Sequence, residues 1–196
     1  MKKLFYIVLF SSSFLFNSCD TNDDGFYNNV YLDAANLVTI NTQPTYTIGD
    51  YIYVTADFSR YLPDTANPAT LLDVYQTTNG ATQFAFSYVI EKKINDTDWE
   101  VVTVTNNLLD INQGNATNGA YVYALCNYNT TTENYQYNVG FPLLSAGNYR
   151  LSFGYNSSST TKIELRSVSQ PKNLVMNINS TVSGIDSSGY YIFTVN

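Results

Sequence analysis

Apolar and polar residues alternate with a period of two through most of the chain beyond residue 36. In residues 51–58, Ile52, Val54, Ala56 and Phe58 share one face, while Tyr51, Tyr53, Thr55 and Asp57 take the other. That is the pattern of a half-buried β-strand. Residues 83–93 set Phe84, Phe86, Tyr88 and Ile90 against Ala85, Ser87, Val89 and Glu91. The turn Asn95-Asp96-Thr97-Asp98 then leads into a return strand at 99–105 opened by Trp99, which predicts a hairpin. Residues 120–126, 134–141 and 147–155 alternate in the same way around Tyr121 and Tyr123, Tyr135 and Tyr137, and Tyr149 and Leu151. Shorter strands are expected at 37–41 and 71–76, and closing strands at 161–168, 173–179 and 189–195. Pro63 and Pro68 mark 59–70 as a loop, and the polar run 106–119 reads as the longest connection. No stretch carries a helical period. About nine short strands predict an all-β fold, an antiparallel β-sandwich spanning 37–196.

The head of the chain departs from this pattern. Lys2 and Lys3 precede an apolar run over residues 4–16, which Ser11, Ser12 and Ser13 interrupt. The run is too short and too broken to span a bilayer, so residues 1–18 read as an export signal. Ser18 stands directly before Cys19, and Asp20-Thr21-Asn22-Asp23-Asp24-Gly25 follows, acidic and without an apolar side chain. Residues 19–36 therefore read as a flexible tether. Leader, cysteine and acidic spacer together resemble a Bacteroidota-type surface lipoprotein. The resemblance implies an acyl lipid on the Cys19 thiol and an outer-membrane domain facing the cell exterior. It implies no cofactor besides that lipid. Asp20, Asn22, Asp24 and Gly25 also match the opening of a calcium loop. The bidentate glutamate such a loop needs at its twelfth position is here Tyr31, so no metal site is assigned.

Charge and residue counts narrow the chemistry. The chain carries 9 Lys+Arg, 16 Asp+Glu and no histidine, a formal charge of −7. Loss of Lys2 and Lys3 with the leader leaves seven basic against sixteen acidic residues, a charge of −9. The few scattered cations argue against nucleic acid and against electrostatic adhesion to anionic lipid, leaving the acyl chains as the membrane link. Absence of histidine removes Ser-His-Asp and Cys-His catalysis, histidine-ligated zinc and histidine general bases together. Asp57, Asp73, Glu91, Asp96, Asp98, Glu100, Asp110 and Glu133 are scattered with no spacing that selects a catalytic pair, so no catalytic residue is assigned. Cys126 lies in a strand-like run and reads as a buried thiol.

Leu144-Ser-Ala-Gly-Asn-Tyr149-Arg-Leu151 is similar to the corner signature of immunoglobulin-like sandwiches, with Tyr149 as the corner tyrosine. Eighteen tyrosines among many Asn, Ser and Thr also suit glycan recognition, in which rings stack on sugars and amides receive hydroxyls. Tyr51, Tyr53, Tyr88 and Trp99 are the candidate glycan contacts. Asp64-Thr65-Ala66 resembles a Bacteroidota O-glycosylation acceptor, with Thr65 as the modified residue. The leading expectation is a non-enzymatic, lipid-anchored binding or assembly module, acting as an accessory subunit of an outer-membrane complex with an unknown protein partner. A glycan-binding surface lipoprotein ranks second, and a carboxylate-dependent hydrolase third.

Overall fold

The computed structural model describes residues 29–154, 160–168 and 174–196. The leader, Cys19 and the tether as far as residue 28 lie outside the described residues, as does the end of the expected 147–155 strand at Tyr155. The described residues are almost entirely β. They hold fifteen strands: β1 (Asn29–Ala35), β2 (Val38–Asn41), β3 (Tyr51–Ser59), β4 (Tyr61–Pro63), β5 (Leu71–Asp73), β6 (Gln83–Lys93), β7 (Trp99–Val101), β8 (Asp110–Gln113), β9 (Asn115–Asn118), β10 (Val122–Asn129), β11 (Asn134–Pro142), β12 (Gly147–Ser152), β13 (Lys162–Val168), β14 (Val175–Thr181) and β15 (Tyr190–Val195). One short helix, α1 (Val74–Thr77), and one 3-10 turn at Asn106–Leu108 complete them.

Thirteen of the strands form one curled sheet, ordered β1-β14-β13-β6-β10-β11-β3-β2 with side branches, while β4 and β5 pair separately. The long central strand β6 organises it. The first half of β6 pairs with β10 and β13, and its second half pairs with β12 and β7, so one strand serves two walls. β12 carries β15 on its far side. Every pairing is antiparallel except β1 with β14, which are parallel over seven residues from Asn29↔Val175 to Ala35↔Thr181. The sheet is therefore mixed, with more and shorter strands than the nine expected.

Alternation is confirmed where it is strongest. In β3, Ile52, Val54, Ala56 and Phe58 are buried, and in β11 so are Tyr135, Tyr137, Val139 and Phe141. They meet Phe84, Phe86, Tyr88 and Ile90 of β6 in a core unusually rich in rings: Phe58 stacks on Tyr135 at 5.2 Å, and Phe84 and Phe86 meet Tyr135 and Tyr137 edge-on. A buried phenol needs a partner for its hydroxyl. Tyr88 and Tyr137 supply each other's at 3.0 Å, and Tyr135 donates to the Ala81 carbonyl at 2.7 Å. Burial pushes all three phenols well above their ordinary range. The Cys126 thiol, fully buried in the same core, is pushed up as well and has no reactive character.

Four expectations change. Residues 29–35, assigned to the flexible tether, form β1, because a full ladder with β14 pairs their backbone and Leu32 is buried. Residues 71–76 divide into β5 and α1, where the Asp73 carboxylate caps the helix by accepting from Gln76 N at 3.0 Å. The 59–70 loop contains β4, and Arg60 holds the whole excursion in place. Its guanidinium pairs with Asp73 and Glu133 and lies over the rings of Tyr61 and Tyr75. The polar run 106–119, expected as a loop, forms β8 and β9.

Candidate functional site

β10 and β11 pair only near their shared turn, from Asn127↔Gln136 to Asn129↔Asn134, and then diverge. β8 and β9 fill the fork: β9 pairs with β10, and β8 pairs with β11. The chain reverses between them at Gly114, whose φ is +78°. A Cβ there would lie 2.5 Å from the Leu125 carbonyl oxygen and 2.8 Å from the Tyr137 ring, so only glycine fits both the space and the backbone. β8 then opposes β11 with one extra residue. Gln113 faces Asn138 and Ile111 faces Val139, leaving Asn112 between them as a bulge. A bulge re-aims side chains, and here it turns both Asn112 and Gln113 toward the same cleft.

That cleft, about 580 Å³, lies on the outer face of β2, β3, β11 and β8 and is lined by Asn41, Tyr53, Asn112, Gln113 and Asn138. Its polar groups divide into two sets. The Tyr53 hydroxyl donates to the Asp110 carboxylate, which also accepts from Asn112 Nδ2 at 3.3 Å. The Asp110 hydrogen bond, aided by desolvation, raises the Tyr53 phenol from its ordinary value. The second set is unengaged. Oδ1 of Asn138 is buried without a hydrogen-bond partner, and the side-chain amides of Asn41 and Gln113 make none among the described residues. Buried amide oxygens without partners are rare in folded proteins and call for an explanation such as a bound water or ligand.

Tyr51 stands beside Tyr53, with ring centroids 6.2 Å apart. Both rings rest against Gly140 of β11, where a Cβ would come within 2.7 Å of Tyr53 and 3.1 Å of Tyr51. The missing side chain lets two half-exposed aromatic rings settle onto the sheet next to the amides.

The four candidate glycan contacts thus separate. Tyr53 lines the cleft, and Tyr51 stands beside it. Tyr88 does not belong there: it is fully buried, because β6 runs through the centre of the sheet and its ring packs beneath Phe86 and Phe153. Trp99 lies on β7, beyond β6, where the Arg150 guanidinium sits between it and Tyr190 at 4.5 and 4.2 Å while pairing with Glu91. Thr65 is exposed in the loop after β4, and its Oγ1 accepts from Asp33 N of the edge strand β1 at 2.9 Å. Asn41, Asn112, Gln113 and Asn138 were not singled out from sequence, and Asp110 figured only among the scattered carboxylates. The length and amide content of 106–119 pointed to Asn112 and Gln113; Asn41 and Asn138, on strands, left no such sign.

A second groove, about 610 Å³, crosses the outer face of β10, β6, β13 and β14 between Tyr123, Glu164, Arg166, Val168, Leu174 and Val175. No group of three or more metal-ligating side chains converges among the described residues, and no helix among them is long and apolar enough to cross a membrane. No family model, curated protein or solved structure matches the chain.

Proposed function

We propose that this protein is a non-enzymatic carbohydrate-binding module, displayed on the outer-membrane surface by an acyl lipid on Cys19. The observation that carries the reading is the cleft, in which unengaged amides of Asn41, Gln113 and Asn138 stand beside the rings of Tyr51 and Tyr53. Amides on paired strands offer donors and acceptors to hydroxyl groups without ordering the backbone on binding, and rings offer apolar faces to the C–H side of a sugar. Glycoside hydrolysis needs two carboxylates flanking the bond. Asp110 borders the cleft with its Oδ2 accepting from Tyr53 and Asn112, and no second carboxylate lines it among the described residues.

The geometry thus favours glycan binding over assembly with a protein partner. Assembly keeps one supporting feature, the exposed Val101 and Ile192 on the edge strands β7 and β15, registered across Glu91 and Arg150. For the fold, we read kinship with immunoglobulin-like sandwiches. The support is the corner at Tyr149, whose hydroxyl donates to the Ser145 carbonyl at 2.7 Å in the turn entering β12. Exposure of Thr65 is compatible with O-glycosylation there.

Titration of the secreted-form domain against soluble polysaccharides tests the reading. Wild type is expected to bind at least one glycan, with affinity reduced at least fivefold by Tyr51→Ala or by Tyr53→Ala in a domain whose melting temperature shows it folded. Retention of full affinity in both variants would move the site elsewhere. Fractionation of Cys19→Ala cells tests the anchor: the variant should leave the membrane fraction, and its persistence there would rule the acyl link out.

A further inference from the structure

We infer that the cleft takes uncharged sugars and excludes acidic ones; the inference rests on the carbohydrate reading of the same site. The first part follows from where the cations are. Recognition of a uronate, sulfate or phosphate on a sugar needs arginine or lysine at the ligand, because an anion leaving water must find a compensating charge. None lines the cleft among the described residues. Arg60, at the end of β3, is committed to Asp73 and Glu133. Arg150 is committed to Glu91, and Lys162 reaches Asp33 on β1. Lys92 and Lys93 lie at the end of β6 that pairs with β12 and β7. Arg166 is on β13, three strands from β11, which is about 14 Å at ordinary strand spacing and beyond the screening length at physiological salt.

The second part follows from the carboxylate. Asp110 leaves the field of the cleft negative, and the chain as a whole carries −7. An acidic sugar would meet that field without a counter-charge. Oδ2 of Asp110 accepts from both Tyr53 and Asn112, which fixes the carboxylate and its charge beside the amides. What the cleft leaves unengaged is neutral: three amides, one of them with a buried acceptor lacking a partner. Hydroxyl groups, which both donate and accept, match that set.

The test uses oligosaccharides in matched charge states: galactose against galacturonate oligomers, and N-acetylglucosamine against glucosamine oligomers, with neutral glucans and mannans completing the panel. The strongest uncharged ligand should bind at least tenfold tighter than any anionic member, and within twofold of the same affinity at 50 and 500 mM salt. Asn41→Ala and Gln113→Ala, both at exposed positions, should each weaken that binding at least threefold. Asn41→Lys should create binding to the galacturonate oligomer. An anionic oligomer binding as tightly as the best uncharged one would overturn this inference and leave the carbohydrate reading standing. So would an unchanged response to galacturonate in Asn41→Lys. Absence of binding to every member of the panel would overturn both.

Discussion

Tyr88 and Tyr137 meet hydroxyl to hydroxyl at 3.0 Å with both rings out of solvent. Removing one hydroxyl strands the other in an apolar setting, which costs about 1–3 kcal/mol, whereas removing both replaces the pair with apolar surface of nearly the same shape. Tyr88→Phe and Tyr137→Phe should each lower stability within that range by urea unfolding. The double variant should lose clearly less than the sum of the two. An additive result would mean that the hydroxyls do not act as a pair. The contrast with the cleft is instructive at this scale. The core phenols of Tyr88, Tyr135 and Tyr137 have partners, while among the described residues the side chains of Asn138, Asn41 and Gln113 have none; one further buried amide oxygen, Oδ1 of Asn177 on β14, also lacks a partner.

The fork filled by β8 and β9 is the element on which the cleft depends. Gly114→Ala would force a Cβ against the Leu125 carbonyl in a backbone conformation that side chains rarely adopt, at a cost of about 1–3 kcal/mol. For a domain of this size that lowers the melting temperature by roughly 2–4 °C per kcal/mol. An unchanged melting temperature would show that the turn tolerates a side chain. This element also marks the limit of what the sequence reveals. β3, β6 and β11 are legible because each buries four alternating residues on one face, and Tyr51 and Tyr53 follow from that phase. β8 and β9 are four residues each, and Ala116 is their one buried apolar side chain; pairing with β10 and β11 holds them, and such pairing leaves no local trace. The bulge at Asn112 depends on how many residues the partner strand supplies, so its aim cannot be read from β8 alone. β1 was missed for the same reason: only Leu32 is buried, and a ladder to β14, more than 140 residues away, does the rest.

For the molecule as a whole, the missing histidines and the many buried tyrosines shape the response to pH. Nothing in the chain changes charge near neutrality through an imidazole. Tyr191 is pushed up to about 12 by burial and its contact with Tyr46, and Tyr88, Tyr135 and Tyr137 are raised further by burial. A group whose folded pKa is raised contributes stability that is full below its unfolded value, about 10 for tyrosine, and is lost as pH climbs through the folded value. Urea midpoints should therefore hold level from about pH 6 to 9 and fall steeply above 10, in step with the rise of tyrosinate absorbance. A sharp drop between pH 6 and 8 would contradict this.

The parallel pairing of β1 with β14 bears on how the domain carries force. If the chain is held at Cys19, any drag on a captured polysaccharide reaches the fold through Asn29, the first residue of β1. A pull along the axis of that strand loads its seven-residue ladder with β14 in shear, so the rungs resist together instead of parting one at a time. β14 is in turn paired along its other edge with β13, which spreads the strain into the sheet. On the proposed reading, a load at the anchor would enter the fold along a strand whose rungs share it.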